Sequence, residues 1–394
     1  MKRYLLPHII KDLKKKMVFV GGPRQVGKTT MALDILHSWP GRKENSDNKQ
    51  ASPAEDHPAY FNWDNRLDKK ALLDARLAPD SEKLIVLDEI HKYKSWRGLV
   101  KGFYDKQKNQ RSFLVTGSAR LDYYRRGGDS LQGRYHYYRL HPLSLGELLQ
   151  AKGPLTSLDQ LLKFGGFPEP YFEADETHWR RWQRERASRV FRDDLITLEK
   201  VVELSSIELL NDLLPTRVGA PLSIKSLAED LEVAHKTVAR WLKILENLYL
   251  CFRLAPFGSP KIRAVKKEQK LYLWDWSLCE SEGARFENLV ACQLLKYCHL
   301  REDTEGHQMD LCYLRDTDKR EVDFVVLMNK KPLFAVEAKL NDSSLSPHLQ
   351  YFSERTKIPT FYQVCKDSGH KRGYKKGNIE FLSLNELVVR LKLP

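Results

Sequence analysis

Two short stretches carry residue types at spacings that chemistry can use: GGPRQVGKTT at 21–30 and EVDFVVLMNKKPLFAVEAKL at 321–340. The first fits GxxxxGK[ST] from Gly22 through Pro23, Arg24, Gln25, Val26, Gly27 and Lys28 to Thr29, with Thr30 following. Glycines there let backbone N–H groups close around phosphate oxygens, at a helix N-terminus that favours anions. Lys28 would reach the β and γ phosphates of ATP, and the Thr29 hydroxyl would ligate Mg²⁺. LIVLDE at 84–89 supplies the acidic counterpart, with Asp88 holding magnesium through water and Glu89 orienting the attacking water. In VTGSAR, Thr116 or Ser118 either senses the γ-phosphate or satisfies a strand-to-turn transition. Arg134, after a glycine in an expected loop, is a candidate to complete a neighbouring copy's site, in competition with Arg120 and Arg126 or with a plain solvated role.

The second stretch reads as a β-hairpin. Residues i and i+2 of a strand share a face, so Glu337 and Lys339 project together. A hairpin turning about Lys330 puts Asp323 opposite Glu337, whereas a strict two-residue turn on Asn329 and Lys330 puts the register one residue out. The pairing therefore requires an odd-length loop or a bulge. Two such carboxylates, with Glu287 on the preceding helix, would offer oxygen ligands to Mg²⁺ or Mn²⁺, while Lys339 positions water and offsets phosphate charge. An ordinary charged hairpin yields the same letters.

Several elements must position these residues. An apolar run at 17–20, then glycines, then helical spacing at Met31, Leu33 and Leu36 reads as strand, loop and helix. A polar insertion at 41–59, a short strand in YFNWD, and strands KLIVL and SFLVT around a helix through Trp96 and Phe103 complete a parallel α/β domain over 1–151. Residues 152–276 read as helical, ending in a helix pair and two strands, the winged-helix pattern, with GSPKIRAVKKEQK as wing and Lys236, Thr237 and Arg240 exposed. Arginines and tryptophans in WRRWQRERASRVFRDDL suit either base stacking or a helix with its rings in the core. Residues 277–394 form a second α/β unit.

Length and composition bound the rest. At 394 residues the chain holds two or three domains, and 42% hydrophobic with 30% charged residues suits a folded protein. Without an apolar run near the ~20 residues of a membrane span, and without a signal-peptide pattern, no membrane is expected and the location is cytoplasmic. Six cysteines without a CxxC pair argue against zinc and disulfide frameworks. A net charge of +14 suits a polyanionic partner, nucleic acid and DNA first.

GPRQVGKTT, LDEIHKYKSWRGLVKGFYD, LVTGSAR, LQGR with HPLSLGEL, FGGFPEP, GARFEN and EVDFVV together resemble the AAA-type ATPases of bacteria and archaea that carry a nuclease-like C-terminal domain. The resemblance spans nearly the whole chain. It implies an α/β multidomain protein: a P-loop NTPase sheet, a winged helix and a restriction-endonuclease-like end. In PD-(D/E)XK terms, Asp323, Glu337, Lys339 and Glu287 fall at that fold's catalytic and metal positions. The expected function is Mg²⁺-dependent ATP hydrolysis coupled to nucleic-acid binding and phosphodiester cleavage. The alternatives are a DNA-binding switch or a protein-interaction module with a silent nuclease fold. A homo-oligomer, ring or dimer, is compatible, because a neighbour completes the nucleotide site in AAA-type rings.

Overall fold

The computed structural model describes residues 1–39, 56–118, 131–151, 157–191, 204–258, 268–341, 344–366 and 375–394. Most of the polar insertion, Arg120, Arg126 and residues 259–267 of the expected wing lie outside them. The described residues up to His141 form one compact unit, and those from Pro142 onward form the other.

The first unit runs α1 (Leu6–Leu13), β1 (Met17–Gly21), α2 (Lys28–Ser38), β2 (Tyr60–Asn62), α3 (Arg66–Leu73), β3 (Leu84–Asp88), α4 (Trp96–Gln107), β4 (Ser112–Gly117) and β5 (Tyr135–Arg139). Its sheet has the order β2-β3-β4-β1-β5, and every pairing is parallel. Strands β1 and β3 are buried at all positions, which is why they read as unbroken apolar runs. Strand β5 lies where the sequence suggests only a loop. Its YHYYR alternation is half-buried and polar, and it gains strand form by pairing with β1.

The second unit opens with four helices, α5 (Leu145–Gln150), α6 (Leu158–Phe164), α7 (Pro168–Glu173) and α8 (Glu176–Arg189). In α8 the rings turn inward: Trp182 is buried, Trp179 donates its indole N–H to Ser277, and Arg186 stacks 4.0 Å from the Phe167 ring centre. Then follow α9 (Leu204–Leu213), α10 (Ile224–Asp230), α11 (His235–Asn247), β6 (Cys251–Pro256), β7 (Lys270–Leu273) and α12 (Glu282–Glu305). Ser281 caps the start of α12 and the left-handed Gly306 ends it. The chain closes with β8 (Met309–Arg315), β9 (Glu321–Met328), β10 (Lys331–Lys339), α13 (Pro347–Arg355), β11 (Phe361–Cys365), β12 (Lys375–Lys376), β13 (Ile379–Ser383) and α14 (Leu384–Leu391).

These strands make one sheet, ordered β12-β13-β11-β10-β9-β8-β6-β7. Helix α12 packs on it through Phe286, Leu289, Val290 and Leu294, against Phe324, Val326 and Val336. Strands β6 and β7, expected as a separate hairpin, join the sheet through the pairing of Ala255 with Cys312.

Candidate functional site

The phosphate loop leaves β1 at Gly21 and turns into α2 at Lys28. Two glycines make this turn possible. A Cβ on Gly22 would lie 2.3 Å from the Leu140 carbonyl oxygen, and Gly27 has φ of 93°. The Lys28 ammonium donates to the carbonyls of Gly22 (3.1 Å) and Pro23 (2.6 Å), which curls the loop around it. Arg3 braces the loop from outside by donating to the Val26 carbonyl at 2.6 Å. Arg3 carries no motif signal, because its partner is a backbone oxygen.

Asp88 ends β3 beside this loop, 2% exposed. Thr29 donates to its Oδ2 at 2.7 Å, Tyr60 to the same oxygen at 2.9 Å, and Thr116 to Oδ1. The three hydroxyls come from α2, β2 and β4, so the parallel sheet itself aims them. Thr116, left open between sensor and structural hydroxyl in the sequence, is thus held on Asp88, and Ser118 donates to Glu89 at 3.2 Å. Tyr60 is the member that motif reading missed.

Glu89 sits just past β3 in a left-handed conformation, φ 55°. Burial raises its pKa above the ordinary 4.5, with Asp88 adding to the rise and Lys28, Lys92 and Arg24 opposing it. A carboxylate so tuned is a better proton acceptor. The donor set therefore fits a magnesium nucleotide: a basic loop, a hydroxyl and a buried carboxylate in contact, and a second carboxylate of raised basicity. Arg134 lies at the other edge of the sheet, where its carbonyl accepts from Met17 and its Nε donates to Asp105 at 3.0 Å.

In the second unit, β9 and β10 are joined by a two-residue turn. Asn329 and Lys330 both have left-handed φ, 52° and 67°, and Lys331 pairs with Met328. Left regular, this turn would misalign the carboxylates. A bulge between Pro332 and Phe334 absorbs one residue, so that Phe334 pairs with Val326 and Val336 with Phe324. Continued by one residue, this register sets Glu337 opposite Asp323, and the Ala338 N–H donates to Asp323 Oδ2 at 2.9 Å. The required register is present, reached by turn plus bulge instead of a turn centred on Lys330.

Glu337 contacts Lys339 at 2.6 Å, while its Oε2 is buried without a hydrogen-bond partner among the described residues. Burial pushes Glu337 up to about 8, with Asp323 reinforcing and Lys339 opposing. Glu287 on α12 rises to about 7 by burial and the nearness of Asp323, against Lys270 and a 2.8 Å hydrogen bond from Tyr272.

Lys270 and Glu321, neither singled out from sequence, complete the cluster. Lys270 Nζ lies 3.6 Å from both Glu287 Oε1 and Asp323 Oδ1 and pairs directly with Glu321. Burial disfavours this ammonium, but Asp323, Glu287 and Glu321 outweigh burial and raise its pKa. Among the described residues no three His, Cys, Asp or Glu side chains are grouped so as to hold a metal ion. So arranged, the cluster does not fit the divalent ion expected from the nuclease signature, because an ammonium stands among its carboxylates.

Three family models match successive stretches of the chain, the second and third both within the second unit. Residues 14–149 match the family model of an AAA domain, 155–284 a domain of unknown function (DUF8612), and 282–387 another (DUF4143). An uncharacterized protein of Methanocaldococcus jannaschii is 25% identical over 88% of this chain and 80% of its own length. One of Mycobacterium tuberculosis is 24% identical over 66% of this chain and 55% of its own, and one of Haemophilus influenzae 23% over 78% of each. Among solved structures, the Aeropyrum pernix ORC1 protein in complex with DNA covers 75% of this chain and 95% of its own at 13% identity and a TM-score of 0.34. A likeness that distant says nothing about activity. The family model, the phosphate loop and the all-parallel sheet agree that the first unit is an AAA-type P-loop domain of an α/β multidomain chain.

Proposed function

We propose that this chain is a magnesium-dependent ATPase that uses nucleotide turnover to switch how its remaining parts hold nucleic acid, DNA in the first place. The observation that carries it is Asp88, fixed by the hydroxyls of Thr29, Tyr60 and Thr116 at the mouth of the phosphate loop. Bound magnesium would draw charge from the phosphate oxygens. Lys28 and the loop N–H groups would hold the phosphates, Thr29 directly and Asp88 through water would hold the metal, and Glu89 would orient the attacking water and take its proton. Arg134 lies beside Met17, at the opposite end of β1 from the phosphate loop, so a role in nucleotide chemistry would be played on a neighbouring copy of a homo-oligomer.

The division 1–151, 152–276 and 277–394 is part of the proposal, supported by matches that change near its two boundaries. Helices α10 and α11 followed by antiparallel β6 and β7 support a winged helix, with Lys236 and Arg240 exposed on α11. The sheet of the last part supports a nuclease-like fold that binds without cutting, since Lys270 stands among its carboxylates. No helix among the described residues is long and apolar enough to cross a membrane, and a net charge of +14 favours a polyanion.

The test measures binding of a labelled DNA duplex with ATP, with ADP and without nucleotide, in wild type and Thr29→Ala, alongside phosphate release. Affinity that differs between nucleotide states in wild type, and not in Thr29→Ala, is the expected result. Absence of ATP hydrolysis would overturn the proposal.

A further inference from the structure

Lys270 is the first residue of β7 and is 1% exposed, so its charge is met by protein alone. Its Nζ faces Glu287 from α12, Glu321 and Asp323 from β9, and the Tyr313 ring, whose centre is 5.6 Å away. Glu321 also pairs with Arg315 at 3.4 Å, and Tyr272, two residues along β7, donates to Glu287. Carboxylates from a helix and a strand thus converge on one buried ammonium. Such a group of acids persists in the interior only when its charge is paired, and here the chain supplies the cation. Magnesium would need oxygens at roughly 2.0–2.1 Å, within the space the ammonium fills.

Resting on the reading of the last part as non-cleaving, we infer that Lys270 is the resident cation of this cluster. Its ammonium stands where a divalent ion would, the native cluster takes no metal, and removing the ammonium turns Glu287, Glu321 and Asp323 into a divalent-cation site.

Titration of the nucleotide-free full chain with Mn²⁺, with the free ion followed by electron paramagnetic resonance, tests this. Wild-type and Asp323→Asn curves should superimpose. Lys270→Met should gain a Mn²⁺ site at least about tenfold tighter than any in wild type, and adding Asp323→Asn should remove it. Mn²⁺ bound by wild type and lost in Asp323→Asn overturns the inference, as does a folded Lys270→Met that binds none. If Lys270→Met folds only with Mn²⁺, seen by circular dichroism, the inference stands. If it does not fold at all, the wild-type and Asp323→Asn pair decides. The two ideas fail separately: wild type that binds Mn²⁺ at Asp323 without cutting DNA sinks only the Lys270 assignment, and DNA cutting that needs no metal sinks only the non-cleaving reading.

Discussion

Thr29 donates its hydroxyl proton to Asp88 across 2.7 Å, tying the first turn of α2 to the end of β3. Both groups are therefore aimed at one point. Thr29→Ala or Asp88→Asn should lower ATP turnover by about a hundredfold or more, the usual cost of losing one preorganised electrostatic contact. Thr29→Ser keeps the hydroxyl and should retain most activity. Phosphate release at saturating ATP reads both.

Glu89 makes a separate forecast. Its pKa is raised by burial, and only the ionised form accepts a proton, so turnover should fall as pH drops through a midpoint above 4.5. Glu89→Gln should bind ATP yet release no phosphate. An acid limb of the wild-type profile lying at or below 4.5 would count against Glu89 as the base.

The carboxylate cluster should make stability depend on pH. Glu337 and Glu287 hold protons in the folded chain up to about 8 and about 7, but lose them near 4.5 when unfolded. Between those values the folded state binds more protons, so their contribution is complete below about pH 4.5 and is lost as pH rises through 7 to 8. Thermal denaturation followed from pH 5 to 9 should show this decline, and Glu337→Gln, neutral throughout, should flatten it.

If α11 meets nucleic acid, Lys236→Glu and Arg240→Glu should weaken DNA binding and reduce the slope of log affinity against log salt. Wild-type affinity that is indifferent to salt would remove nucleic acid from the proposal. Filter binding across a salt series measures both.

Much of the nucleotide site was legible because its residues are local in sequence. Lys28 and Thr29 are neighbours in one loop, and Asp88 and Glu89 follow one apolar strand. Tyr60 and Arg3 were not legible, because each reaches the site through tertiary placement and neither belongs to a spaced motif. The carboxylate face was half readable. Strand alternation gave Glu337 with Lys339 and the need for an odd-length loop or a bulge, and it would equally have given Glu321 beside Asp323. Lys270 had no such signal, because β7 enters the sheet through β6 and β8, far along the chain from β9. Strand β5 was missed for a related reason: its polar residues become a strand only beside β1.

The bulge between Pro332 and Phe334 also tells how this hairpin can change length. With Leu333 deleted, the same two-residue turn would feed a regular ladder, Phe334 would still face Val326, and Asp323 would still face Glu337. A chain one residue shorter at this point would carry the same pair unaltered, a change of spacing and not a loss of the motif.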